Sequence, residues 1–147
     1  MPDVLCHGDL TRINMMFDRD TNKLAAIFDW QLIHSGCAAE DIASFIVTSC
    51  SMDVRRNQLD HLLETYHSEL TKICKGVAPF TLQQLQQAYQ LCFKGVMLVT
   101  VPAFPYFIEK RAADPEMQAS YISHVKSTME DFADNLDKYH SPSSLTK

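Results

Sequence analysis

The sequence has no excess of basic residues and no apolar run long enough to span a membrane. Thirteen lysines and arginines stand against 18 aspartates and glutamates, which gives a net charge of −5. This balance argues against an extended basic surface for nucleic acid or anionic lipid. The longest apolar run, residues 96–108, is shorter than the ~20 residues that a spanning helix needs and is interrupted by Pro102 and Pro105. We therefore expect no membrane span and no nucleic-acid partner.

The sequence also has no closely spaced pair of cysteines. Its five cysteines are odd in number and widely separated, which is typical of free thiols and not of a disulfide framework. The N-terminal residues do not have the pattern of a secretory signal peptide. We expect reduced thiols and a cytoplasmic protein.

The remaining composition is that of an ordinary globular chain. Its 147 residues are 46% hydrophobic and 21% charged, enough for one core in a single domain or part of one. Two short apolar runs, "INMMF" at 13–17 and "LAAIFDW" at 24–30, are separated by a polar stretch and predict a β-hairpin. After Gly36 the apolar residues recur every three to four positions, which predicts at least four helices.

Two helix starts are well marked. Thr81 and Gln84 have the spacing of a capping box, with Phe80 and Leu85 as the hydrophobic staple around it. Asp114 and Pro115 mark the start of a last helix. The residues expected to face inward from that helix are Met117, Tyr121, Val125, Met129, Phe132 and Leu136. The polar end, residues 141–147, is predicted to be a disordered tail.

The stretch "CHGDLTRINMMF", residues 6–17, carries the most specific signal for function. Asp9 follows Gly8, whose lack of a Cβ suits a tight turn, and Asn14 follows Asp9 by five positions, close enough to fold back toward it. Asp29 comes at the end of the second predicted strand. If the hairpin pairs normally, two carboxylates and an amide oxygen converge at one end of it. Oxygen ligands of this kind suit a hard cation such as Mg²⁺.

At this point the sequence resembles a known family. "HGDLTRIN", followed by "IFDWQ" and then "GCAAEDIA", resembles the core of the aminoglycoside-phosphotransferase and choline-kinase superfamily, and most closely its ecdysteroid-kinase-like, or CHK kinase-like, group. The His-Gly-Asp with its later Asn is also similar to the catalytic loop of protein kinases. The resemblance implies the C-terminal lobe of a protein-kinase-like fold, mainly α with one small β-hairpin carrying the catalytic loop.

The resemblance also implies a reaction and a role for each motif residue. The reaction is phosphate transfer from ATP, with Mg²⁺, to a hydroxyl of a small acceptor such as choline, an aminoglycoside or an ecdysteroid. The implied roles are Asp9 as catalytic base, Asn14 and Asp29 as magnesium ligands, His7 and Gly8 as structural residues of the loop, and Asp41 as an acid that braces it.

The resemblance is strong over residues 4–47 and only general beyond them. Thr11 stands where members of the group often have Trp or His, a difference that affects the packing of the loop. The family's N-terminal lobe, with its phosphate-covering loop and ATP-anchoring lysine, has no counterpart here, because six residues precede His7. Residues 1–140 are thus expected to form a partial domain that is inactive in isolation and self-associates through its exposed lobe interface.

Three alternatives remain beside this interpretation. The chain could be a truncated, non-catalytic pseudokinase that serves as a scaffold or interaction protein. His34 could contact substrate, although an ordinary loop histidine is the favoured interpretation. A zinc site built from Cys6, His7, His34 and Cys37 is disfavoured, because neighbouring residues on a strand point to opposite faces.

Overall fold

A computed structural model describes residues 1–140 of the chain, with side chains through residue 136. The predicted disordered tail at 141–147 lies outside the described residues. The described part is mainly helical with short strands. The strands are β1 (Asp3–Cys6), β2 (Met15–Phe17), β3 (Leu24–Ile27) and β4 (His34–Cys37). The helices are α1 (Ala38–Ser49), α2 (Met52–Asn57), α3 (Leu59–Ile73), α4 (Leu82–Thr100), α5 (Phe104–Glu109) and α6 (Pro115–His140).

The strands form two separate antiparallel pairs. Strands β2 and β3 make the predicted hairpin, with Met15 opposite Ile27. The prediction of one hairpin is nevertheless incomplete, because β1 pairs with β4 in a second sheet that places Cys6 opposite His34. This pairing joins residues about thirty positions apart in the chain, so no local turn signal indicates it.

The core lies between α1 and α4, which pack against each other, and it extends to α3 and α5. Alanines and β-branched residues of α1 are buried against larger side chains of α4, so the two helix axes can approach closely. The buried core residues are Ala38, Ala39, Ala43, Ile46, Val47, Leu63, Phe80, Leu85, Tyr89, Phe93, Met97 and Phe104. Because α1 begins directly after β4, this packing fixes the position of the β1–β4 sheet.

The predicted helix starts are confirmed, but the predicted inner face of α6 is partly wrong. Thr81 and Gln84 form the reciprocal capping box, and the Asp114 carboxylate accepts a hydrogen bond from the Met117 amide at 3.0 Å. On α6, Tyr121, Val125 and Phe132 pack against the core. The other three residues expected to face inward, Met117, Met129 and Leu136, are exposed, because the surface that α6 packs against covers only part of this long helix.

A buried charge holds α2 against α6. The guanidinium group of Arg55, with only 3% of its side chain exposed, lies 2.9 Å from Asp131 Oδ2. It also donates to Ser127 Oγ at 2.7 Å and to the Cys50 carbonyl at 2.9 Å. Burial and the neighbouring guanidinium keep the pKa of His124 below its ordinary value. This helix contact therefore depends on a buried cation whose donors are satisfied.

Two exposed apolar surfaces stand out. One lies on the outer side of α4, where Leu98 and Val99 are 71% and 78% exposed. The stretch Leu82–Glu109 is long and apolar enough to cross a membrane by length and composition, and 17% of its most apolar window is buried. Because the central helix of a folded domain passes the same test, this property alone does not assign α4 to a membrane.

The second exposed surface lies on and beside the hairpin and is called the hairpin surface below. It consists of apolar side chains that are about half or more exposed. Large apolar side chains that are exposed to this extent are typical of a contact site. Its residues are Ile13, Met16, Phe17 and Leu24.

The buried ion pair makes a prediction about stability. Replacing Asp131 by Ala leaves the Arg55 cation buried without its counter-charge, and we expect a loss of about 3–5 kcal/mol in the free energy of unfolding. Urea denaturation followed by circular dichroism measures this loss. The control is Glu69→Ala, which removes the exposed partner of Lys72 and should cost less than about 1 kcal/mol. Equal costs for the two variants would contradict this account of the helix contact.

Candidate functional site

The turn after β1 requires glycine at position 8. Gly8 has φ +83°, a conformation that side-chain-bearing residues rarely adopt. A Cβ atom there would also clash with the carbonyl oxygen of Leu32. The predicted need for glycine at this turn is confirmed, and it places Asp9 directly after a sharp change of chain direction.

The carboxylate of Asp41 accepts the backbone hydrogen bonds of this turn. The His7 amide donates to Asp41 Oδ2 at 2.7 Å, and the Gly8 amide donates to Oδ1 at 3.0 Å. Asp41 lies in the first turn of α1, whose core-facing side is buried. The loop backbone is thus attached to a core helix of the domain by two charge-assisted hydrogen bonds.

The ring of His7 connects the loop to the end of the hairpin. It is buried, with 2% exposed, and its Nδ1 accepts a hydrogen bond from the Asp9 amide at 3.2 Å. The proton is therefore on Nε2, which donates to the Phe28 carbonyl at 2.9 Å. The ring also packs against Trp30, with 4.6 Å between centroids. His7 has the contacts of a positioning residue, with both ring nitrogens already bonded.

Asn14 folds back onto Asp9, as its spacing predicts. Asn14 is buried, and its Nδ2 donates to the Asp9 carbonyl at 2.9 Å and to Asp9 Oδ2 at 3.1 Å. Because both bonds use the amide nitrogen, Oδ1 remains available as an acceptor on the other side of the amide group. The Asp9 side chain is held by one oxygen and is only half-buried.

The backbone of Asp29 lies close in space to that of Asn14, and Asp29 adopts a rare conformation. The Phe28 amide donates to the Asn14 carbonyl at 3.0 Å, so Asp29 directly follows the residue bonded to Asn14. Its φ of 65° is left-handed, which costs a residue other than glycine about 1–2 kcal/mol. The side chain is exposed and not buried in the helical core. Strain of this kind is concentrated at functional sites.

These oxygens are a chemically suitable set for Mg²⁺. The available Oδ1 of Asn14 and the exposed carboxylate of Asp29 are hard ligands, and the half-buried carboxylate of Asp9 lies beside Asn14. Two protein ligands are enough for this ion, which keeps several waters or phosphate oxygens in its octahedron. The residues present therefore fit the cation that the sequence motif implies.

The hydroxyl of Thr11 is a less well satisfied group in the same loop. It is buried and has no hydrogen-bond partner among the described residues. The next residue is held, because the Arg12 amide donates to Ser49 Oγ at 2.9 Å. Thr11 is also the position at which the sequence differs from the motif. Its buried hydroxyl, without a partner in the described part of the chain, shows that this difference affects the packing of the loop.

His34 is not an isolated loop histidine. It lies on β4 opposite Cys6, and its Nε2 is 3.1 Å from Glu40 Oε1. The Leu32 carbonyl and Glu40 raise the pKa of His34, and burial together with the charges of Asp41 and Glu40 raises the pKa of Cys6 to about 11. From the sequence, Cys6 and His34 belong to a disfavoured zinc set with His7 and Cys37, and Glu40 is not indicated, because nothing in the sequence predicts the β1–β4 pairing.

Comparison with known proteins gives a family and two relatives. The profile of the family DUF1679, described as "Uncharacterized oxidoreductase dhs-27", matches residues 1–144. An "Uncharacterized kinase-like protein D1044.1" of Caenorhabditis elegans is 30% identical over 107 residues, which is 73% of this chain and 28% of that protein. The "Uncharacterized oxidoreductase dhs-27" of the same organism is 29% identical over 130 residues, covering 74% of this chain and 16% of that protein.

The chain thus spans less than a third of either relative. No solved structure matches it. The similarity to a kinase-like protein agrees with the kinase-like motif around Asp9. None of these matches names the ecdysteroid-kinase-like group or another group of small-molecule kinases. With nearly its whole length matched by one family profile, the chain belongs to the DUF1679 family.

Proposed function

We propose that this chain is the C-terminal catalytic lobe of an ATP-dependent small-molecule kinase of the ecdysteroid-kinase-like, or CHK kinase-like, group. The observation that carries the proposal is the contact between Asn14 and Asp9, in a loop whose backbone amides are held by Asp41. The proposed lobe has a protein-kinase-like fold. The acceptor is a small molecule with a hydroxyl group, such as choline, an aminoglycoside or an ecdysteroid.

Asp9 is the proposed base of the reaction. One of its oxygens is fixed by Asn14 Nδ2, which orients the carboxylate, and the half-buried side chain is still open to solvent. A carboxylate held in this way can accept a hydrogen bond from an acceptor hydroxyl and take its proton as the oxygen attacks. The hydrogen bonds of His7 and Asp41 hold the backbone that carries this carboxylate.

Asn14 and Asp29 are the proposed ligands of Mg²⁺. When bound, the ion would neutralise charge on the phosphates of ATP. Asn14 is buried and rigidly bonded, whereas Asp29 is exposed and supplies the full negative charge. Asp29 adopts its left-handed backbone between β3 and the turn at Trp30–Leu32.

The oxidoreductase name of one relative favours a different chemistry. A dinucleotide-dependent oxidoreductase of the common type carries a G-x-G-x-x-G turn between a strand and a helix. The four glycines of this sequence stand at 8, 36, 76 and 95, so no two of them have that spacing. The match to that relative covers 16% of its length, and the oxidoreductase chemistry is not proposed for this segment.

A non-catalytic scaffold is the second candidate, and the hairpin surface favours it. Apolar side chains beside the proposed site, such as Ile13 at 73% exposed, are suited to contact with another protein surface. This candidate predicts association without any transfer of phosphate.

The role of Asp9 predicts a specific kinetic defect. In the natural protein that contains this segment, Asp9→Asn should lower turnover by ~10²–10⁴-fold, because the general base is lost. Binding of magnesium-ATP should stay near that of the wild type. Transfer of radiolabelled phosphate to choline, ethanolamine, aminoglycoside and ecdysteroid acceptors measures turnover. Asp20→Asn, on the exposed hairpin turn, is the matched control, and a variant at Asp9 that kept full transfer would contradict the role.

The role of Asp29 predicts a different defect. Asp29→Asn removes one negative charge from the proposed cation site, so the affinity for magnesium-ATP should fall together with turnover. Raising the magnesium concentration should recover part of the loss, whereas it should not rescue Asp9→Asn. Titrations of nucleotide at several magnesium concentrations separate the two cases. A loss at Asp29 that did not respond to magnesium would remove this residue from the cation site.

The hairpin surface predicts self-association. Sedimentation velocity of residues 1–147 at several concentrations should reveal a dimer or larger species whose fraction rises with concentration. Phe17→Glu should reduce that fraction, because it places a charge in the contact. Leu98→Glu, on the separate apolar surface of α4, is the control. A strictly monomeric wild-type chain would contradict the prediction.

A further inference from the structure

Three side chains that can bind a metal meet where β1, β4 and α1 join. They are Cys6 at the end of β1, His34 at the start of β4 and Glu40 in the first turn of α1. Their Sγ, ring-nitrogen and carboxylate-oxygen atoms all lie within 4.8 Å of one another. A thiolate, an imidazole nitrogen and a carboxylate oxygen are donor types that zinc selects.

The register of the β1–β4 sheet produces this arrangement. Cys6 is directly opposite His34, and Val4 is opposite Gly36. Residues directly opposite in an antiparallel pair have their side chains on the same face, and so do residues two apart on one strand. Cys6, His34 and position 36 therefore share a face of the sheet, and α1 brings Glu40 over that face one helical turn later.

Gly36 leaves the space in the middle of the group. A Cβ atom built at Gly36 would lie 3.0 Å from Glu40 Oε2, 3.0 Å from His34 Nε2 and 3.1 Å from Cys6 Sγ. The backbone does not require glycine there, because Gly36 is not among the residues with positive φ. An ion cannot lie at this point itself, which is one bond length from the Gly36 Cα, but the three distances show that the ligand atoms surround the space in front of Gly36. Zinc bonds to such ligands measure about 2.0–2.3 Å, so binding would draw the side chains together around an ion farther out from the backbone.

The hydrogen bond on the other side of the His34 ring gives it the tautomer of a metal ligand. Nδ1 is 2.9 Å from the Leu32 carbonyl oxygen, which can only accept, so Nδ1 carries the proton. In the neutral ring the lone pair is then on Nε2, the atom that faces Glu40. A histidine that donates one ring N–H to a carbonyl and offers the other nitrogen is the usual arrangement at a zinc ion.

Without a metal, the same atoms need a different source of positive charge. Nε2 of His34 and Oε1 of Glu40 are 3.1 Å apart, and two lone-pair atoms at that distance repel unless a proton or a cation lies between them. A protonated His34 would supply the proton, while the Cys6 thiol donates to the Cys37 carbonyl at 3.4 Å. The ordinary alternative is thus an ion pair beside a buried thiol.

We propose that Cys6, His34 and Glu40 bind a zinc-class divalent cation in the space that the missing side chain of Gly36 leaves between them. The thiolate and the carboxylate balance the two positive charges of the ion, and the imidazole is neutral. The side chains of His34 and Glu40 are 42% and 38% exposed, which gives the ion a path of entry and leaves a fourth position for water. The site does not include the oxygens of Asp9, Asn14 and Asp29, so it stands whether or not the proposed kinase function holds.

The first test uses the metal alone on chelator-treated protein of residues 1–147. We expect one Zn²⁺ to bind per chain in a calorimetric titration and one Co²⁺ to give an absorption band from thiolate-to-cobalt charge transfer. Cys6→Ser should remove that band. Cys74→Ser, which changes an exposed cysteine, should keep it. A wild-type chain without the band, or a band that survives in Cys6→Ser, would overturn the proposal.

A second pair of variants guards against a folding defect at the buried Cys6. Gly36→Ala keeps all three ligands but places a methyl group between them. His34→Gln removes the nitrogen ligand at an exposed position. We expect Gly36→Ala to weaken zinc binding by at least about 10-fold and His34→Gln to weaken it further. Thermal melting without metal verifies that both variants fold. If both variants fold and bind zinc as tightly as the wild type, the proposed site is wrong and the His34–Glu40 ion pair is the remaining interpretation.

Discussion

The two hydrogen bonds from the His7 and Gly8 amides to the Asp41 carboxylate are the contact on which the candidate site depends. They close a gap of more than thirty residues in the chain and attach the loop to α1, which packs against α4. Two adjacent amides that point to one side can be satisfied by one carboxylate only if the turn has the conformation that Gly8 allows. These bonds fix the backbone at the start of the loop, and Asp9 and its partner Asn14 are positioned by it.

The first turn of α1 contributes one acidic residue to the candidate catalytic loop and its neighbour to the proposed cation site. Asp41 holds the loop of Asp9, and Glu40 faces His34 and Cys6. The Leu32 carbonyl joins the two groups, since it packs against Gly8 and accepts the hydrogen bond of His34. A cation at Cys6, His34 and Glu40 would therefore fix β1, β4 and α1 relative to one another at the base of the loop that carries Asp9. The proposed zinc-class ion would have a structural effect on the candidate catalytic loop without taking part in its chemistry.

The sequence predicts the features that depend on local chemistry. The β2–β3 hairpin, the capping box at Thr81 and the contact of Asn14 with Asp9 each involve residues close together in the chain. The β1–β4 sheet was missed because "HSGC" has few of the residues that favour strands and its partner is distant in sequence. A zinc set of Cys6, His7, His34 and Cys37 is disfavoured from the sequence because Cys6 and His7 point to opposite faces of a strand. Only the β1–β4 pairing brings Cys6 and His34 together with Glu40. The alternation of His34 and Gly36 before Glu40 is the signal that could have indicated it.

The central claim is that Asp41 holds the loop of Asp9 in place, and amide hydrogen exchange measured residue by residue tests it most directly. In the wild-type chain the amides of His7 and Gly8 should exchange slowly. In Asp41→Ala both should lose protection, while the Cys50 amide, which donates to the Ile46 carbonyl at the other end of α1, should keep it. If the two loop amides exchange freely in the wild type, or stay protected after the carboxylate is removed, then the loop is held by something other than Asp41 and this account of the site is wrong.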